Sequence, residues 1–138
     1  MGLFNLFRKQ PQIDDSDFGH LKADKADSWS GEDFKIWGYT SIQIMLDGNQ
    51  NGPTAEQRLF IKTLRTNPAI QGQIEQAIRQ EAKRTTNQPD NLQLTSIYLP
   101  KSPTDQTWRV WYDIAEEDHY WYGAEITGWQ NIRPFTED

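Results

Sequence analysis

The chain has 138 residues, with 14 Lys and Arg against 20 Asp and Glu, a formal net charge of -6 and no cysteine. That length supports one core, burying somewhat under about 70% of the surface the unfolded chain exposes, and leaves a second domain unexpected. The missing thiols remove disulfides, thiolate zinc sites, iron–sulfur clusters and cysteine nucleophiles, and the negative balance opposes the counterion release that drives nucleic-acid binding. The same charge favours a basic partner, over a range that physiological salt limits to about 8 Å. Six Trp, five Tyr and six Phe stand in a chain only 36% hydrophobic, which points to an aromatic-rich core built on a sheet.

Residues 1–12 read as an amphipathic or mobile N-terminal segment ahead of a single domain over 13–138. Leu3, Phe4, Leu6 and Phe7 precede Arg8 and Lys9, the wrong order for a secretory signal and far short of the ~20 apolar residues that span a membrane. Leu6 also occupies the position where a myristoylation signal carries Ser or Thr. A terminal turn docked on its own domain, or simply mobile, is favoured over membrane contact through residues 1–10.

A first short strand is expected over Ile13–Lys22, a turn over Ala23–Gly31 around the lone Trp29, and two further strands from the alternation of Phe34 and Ile36 and of Ile42, Ile44 and Leu46, joined near Gly38. The period then changes. Thr54 and Gln57 form a capping box ahead of the stripe Phe60, Ile61 and Leu64. Asn67 before Pro68 reads as a second helix start, with Ile70, Ile74, Ala77, Ile78 and Ala82 on one face and Gln71, Gln73, Glu75, Gln76 and Arg79 on others. Strand signals return at Leu92 and Leu94, shift parity at Ile97 and Leu99 as a bulge near Thr95 or Ser96 would require, and continue in a hairpin of Trp108–Ile114 with Tyr120–Ile126. Gly128, Trp129 and a tail containing Pro134 close the chain. The expected fold is α+β: an antiparallel sheet of about six strands with two consecutive central helices on one face, in the order βββ-αα-βββ.

Few motifs carry chemistry. Asp47, Asn49, Asn51 and Gly52 imitate the start of a calcium loop, but position twelve is Arg58 where a bidentate carboxylate belongs, so the loop reads as a strand-to-helix connection. His20 and His119 lack metal-ligand spacing, and no nucleophile elbow or phosphate-binding glycine loop is present. No catalytic, cofactor or metal residue is assigned. The hairpin is more informative: if Trp108, Val110, Tyr112, Tyr120, Tyr122 and Ile126 face the helices, then Arg109, Trp111 and Trp121 face the other way, beside the acidic tip Glu116, Glu117 and Asp118. Exposed Trp and Arg are the composition of interface hot spots, and the same face could stack on sugar rings.

The run Asp17-Phe18-Gly19-His20-Leu21, the turn Trp29-Ser30-Gly31, Gly52-Pro53-Thr54 followed by Gln57, and the late Trp121 with Gly128-Trp129 resemble a family of small uncharacterised bacterial domains. Some of those domains accompany polymorphic toxin systems as candidate immunity proteins. The resemblance covers roughly residues 13–133 and implies a cytoplasmic bacterial protein that works by binding. The leading expectation is a non-enzymatic interaction domain of immunity type, taking a basic protein partner through Trp111, Trp121, Arg109, Glu116, Glu117 and Asp118. The alternatives are a small hydrolase or carbohydrate-binding domain using the aromatic face with His119 and Asp113, and a structural homodimer paired through that face.

Overall fold

A computed structural model describes residues 11–25, 27–115 and 120–137. Ten elements follow one another: β1 (Gln12–Asp15), β2 (Gly19–Lys25), β3 (Ser28–Ile36), β4 (Tyr39–Asp47), α1 (Ala55–Arg65), α2 (Pro68–Ala82), β5 (Leu92–Leu99), β6 (Thr107–Ile114), β7 (Trp121–Thr127) and β8 (Asn131–Glu137). All eight strands join one sheet in chain order. Every pairing is antiparallel except β4 with β5, which run parallel. The exception has a simple cause. Short hairpins reverse the chain, whereas the connection through two helices returns it to start again in the same direction. The architecture is therefore α+β with a mixed, mostly antiparallel sheet, where six antiparallel strands were expected.

The two additional strands lie at the edges. The segment read as one strand over 13–22 is split by a turn at Ser16–Phe18, where the carboxylate of Asp15 accepts from the amides of Asp17 and Phe18 at 2.9 and 3.1 Å and Gly19 takes φ +80°. Beyond Trp129 the chain forms β8, with Pro134 opposite Ala124. A proline lacks the ladder donor that a central strand needs, so it sits on an edge. The expected turn around Trp29 is also corrected. Trp29 belongs to β3, is 3% exposed and donates its indole N–H to the carbonyl of Asn49 at 2.8 Å; the chain reverses instead at Asp27, φ 67°.

Alternation places one residue set under the helices. Leu21, Phe34, Ile44, Leu46, Ile97, Leu99, Trp108, Val110, Tyr112, Tyr122 and Ile126 are all buried with Phe60, Ile61, Leu64, Ile70, Ile74 and Ile78. Phe60 of α1 packs edge-on to Trp108 and stacks on Trp129 at 4.6 Å, and α2 lies against β7 and β8. The parity shift in β5 is a bulge between Leu94 and Ser96, bridged by Thr95 Oγ1 donating to the Trp111 carbonyl at 3.1 Å.

Both helix starts follow from the sequence, with one difference. Thr54 and Gln57 make the reciprocal capping box, whereas Asn67 gives α2 no side-chain bond and Pro68 alone marks its first turn. Gln57 does more than cap. Fully buried, it donates through Nε2 to the carbonyls of Asp47 and Pro100 at 2.6 and 2.8 Å, closing the space between the carboxyl ends of the parallel strands β4 and β5. Open α/β sheets commonly bind ligands at such an end; here it is filled by a side chain.

Candidate functional site

The face of the sheet turned away from the helices carries the chemistry. On β6, β7 and β8 its outward residues form three rows. The first is Arg109, Glu125 and Arg133, the second Trp111, Gly123 and Phe135, both fixed by direct register. In the third, Trp121 pairs with Glu137, and the Tyr112–Tyr122 pair beside it sets Asp113 next to Trp121. The rows continue through Tyr98 and Met45 in the first and Ser96 and Gln43 in the second. Burial confirms the parity: Trp121 is 50% exposed, Arg109 exposed, and Trp111, Asp113, Glu125 and Phe135 half-buried, while their neighbours Val110, Tyr112, Tyr122 and Ala124 are buried.

The middle row is aromatic. Trp111 meets Phe135 edge-on at 6.5 Å, and the Phe135 ring occupies the space above Gly123. The outer rows are charged in opposite senses. In the first, the carboxylate of Glu125 lies 3.6 Å from Arg109 and 3.9 Å from Arg133. In the third, Asp113 and Glu137 flank Trp121, and among the described residues neither has an ion-pair partner. Burial without a compensating cation pushes the Asp113 carboxyl above its ordinary range. At the inner end of the first row, the Tyr98 hydroxyl donates to Asp47 at 2.5 Å; burial first, then that bond and the Asp47 charge, push the phenol up to about 12.

Among the residues expected to bind a partner, Arg109, Trp111 and Trp121 thus share this face. Glu116, Glu117 and Asp118 lie outside the described residues, as do His119 and residues 1–10. Phe135, Glu137 and Arg133, which complete the rows, were not expected. The alternation of Asn131, Arg133, Phe135 and Glu137 signals them, but Pro134 inside the run makes it read as a tail.

Two other polar groupings are committed to structure. Glu75, expected on an outer face of α2, is buried at 8% exposure, where its Oε2 accepts from Tyr112, Tyr39 and Gln71 at 2.8, 3.1 and 3.3 Å and its Oε1 meets Arg79 at 3.5 Å. Tertiary packing wins because the helix wheel places Glu75 beside Ile74 and Ile78 over the sheet, and the tyrosines arriving from β4 and β6 supply its donors. Asp15, with its side chain 5% exposed, accepts two donors from Arg58 at 2.7 and 3.1 Å. Arg58 at the twelfth position of the calcium-like loop is therefore spent on the β1–β2 turn. His20 pairs with Asp14 at 2.7 Å and meets Gln12 at 2.9 Å on the edge of the sheet.

The fold and its face define a class: a helix-backed sheet whose second face presents an aromatic row between charged rows. Comparison with protein-family models, curated proteins and solved structures found no match for the chain. Among the described residues no helix is long and apolar enough to cross a membrane.

Proposed function

We propose that the chain is a non-enzymatic protein-interaction domain, of immunity type, that takes a basic protein partner on the open face of β6–β8. The observation that supports this reading is the row of Trp111, Gly123 and Phe135 with Trp121 half-exposed beside it: aromatic area on an open sheet face is the material of interface hot spots. The edges of the sheet are poorer docking sites. β1 has four residues and β8 carries Pro134, and both devices blunt strand addition. The carboxylates of Asp113 and Glu137, which have no ion-pair partner among the described residues, together with Glu116, Glu117 and Asp118 in the sequence and the net charge of -6, favour a cationic partner and would raise its association rate. The motif resemblance to small uncharacterised bacterial domains, some of which accompany toxin systems, suggests the immunity type.

The test is capture from bacterial lysate with wild type and with Trp121→Ala, plus a photo-crosslinking residue at position 121. A basic protein retained by wild type, lost with Trp121→Ala and crosslinked at 121 supports the reading. A partner captured equally well by both proteins places binding elsewhere and ends it.

A further inference from the structure

The two outer rows of the open face complement each other. Reading across β6, β7 and β8, one row is cation, carboxylate, cation, and the other is carboxylate, tryptophan, carboxylate, at equal distance on either side of the aromatic row. Arg109 and Asp113 are two positions either side of Trp111, and Arg133 and Glu137 two positions either side of Phe135. A two-fold axis laid along the middle row exchanges the outer rows and keeps each strand in place. Two copies packed face to face about that axis bring Arg109 of each opposite Asp113 of the other, and Arg133 opposite Glu137. The middle rows then meet themselves, Trp111 on Trp111 and Phe135 on Phe135.

We propose that a second copy of this chain occupies the open face, as an isologous dimer in which the Arg109/Arg133 row of one copy pairs with the Asp113/Glu137 row of the other. Three observations carry it. About this axis the opposite charges meet on β6 and β8 with Glu125 set over Trp121 between them, and a displacement by one row sets charged side chains on the aromatic row. Among the described residues Asp113 and Glu137 have no cation beside them, while Arg109 and Arg133 share the carboxylate of Glu125 at 3.6 and 3.9 Å, leaving each arginine donors to spare. Gly123 adds no side chain to the central row, and the Phe135 ring fills the space over it, which suits the ~10 Å spacing of packed sheets.

This inference stands apart from the partner reading, and if both hold, self-association and partner binding compete for one face. The experiment is sedimentation equilibrium of the full chain, wild type and two charge variants, each checked by circular dichroism. Wild type is expected to be dimeric. Asp113→Arg/Glu137→Arg sets four cations opposite four, and Arg109→Glu/Arg133→Glu sets like charges against each other in the same way; each variant alone is expected to dimerise at least about 100-fold more weakly. Mixed in equal amounts, the two variants are expected to regain the dimer mass as a heterodimer, because each then presents the rows the other lacks. A monomeric wild type at about 100 μM, dimers that persist in both variants, or a mixture that stays monomeric would each overturn the proposal. The mixing result does not depend on any partner, so its failure is separable from failure of the capture experiment.

Discussion

The Phe135 ring lies directly over Gly123: a Cβ placed on the glycine would stand 2.5 Å from Phe135 Cζ and equally 2.5 Å from the carbonyl oxygen of Val110. The ring can swing away, but the Val110 carbonyl belongs to the neighbouring strand and cannot. Gly123→Ala is therefore expected to destabilise the fold by about 1–3 kcal/mol, the range of an overpacked site. Phe135→Ala in the same background should recover only part of the loss. Urea midpoints of the single and double variants test this, and full recovery in the double variant would show that the backbone contact is harmless.

Gln57 is the second point where one side chain holds several elements. Its amide donates to the Asp47 and Pro100 carbonyls, and its oxygen accepts from the Thr54 amide at 2.8 Å. Gln57→Leu keeps the volume and strands those groups, at an expected cost of about 2–4 kcal/mol. Gln57→Glu sets a buried carboxyl group against the same two carbonyl oxygens and should cost at least as much. Chemical denaturation orders the three proteins; a Leu variant as stable as wild type would refute the clamp.

Asp15 and Arg58 tie the β1–β2 turn to α1. Removing the carboxylate in Asp15→Ala deprives two turn amides and the guanidinium of their acceptor, and about 2–3 kcal/mol of stability should be lost. Arg58→Ala leaves the turn amides satisfied and should cost less, because Arg58 is partly exposed. The double variant is expected to lose less than the sum of the two, which a thermodynamic cycle measures directly; strict additivity would mean that the pair does not interact.

Alkaline pH reads the Glu75 cluster. Burial, followed by the charge and hydrogen bond of Glu75, pushes Tyr39 up to about 12 from 10.0, and the same causes push Tyr112 further. Both pKa values are raised in the folded state, so the folded chain holds these protons more tightly than the unfolded chain. Their contribution is present in full below pH 10 and is lost as pH rises toward 12. Stability should therefore fall over that window. In Glu75→Gln the negative charge beside the phenols is gone, and phenolate absorbance should appear at lower pH than in wild type. An unchanged titration would separate Glu75 from both tyrosines.

What local patterns announce, this sequence announces clearly. Alternation located most strands and put Arg109, Trp111 and Trp121 on the face opposite Trp108, Val110 and Tyr112, because a pleated strand turns successive side chains to opposite sides. The capping box at Thr54 and Gln57 and the stripe of Ile70, Ile74 and Ile78 likewise depend on residues within a turn or two of one another. Pro134 hid β8, since proline is read as a breaker unless the strand is known to be an edge, and edge position is a property of the assembled sheet.

The remaining features depend on groups far apart in the chain. The parallel pairing of β4 with β5 follows from where two helices return the chain, and Glu75 is buried because tyrosines from two distant strands arrive to satisfy it. The rows Arg109–Glu125–Arg133 and Asp113–Trp121–Glu137 exist only once β6, β7 and β8 are in register. A single strand shows which side a residue faces. Only pairing shows which charges stand together and which are left without a partner, because a register shift of one residue would send every one of them to the other face.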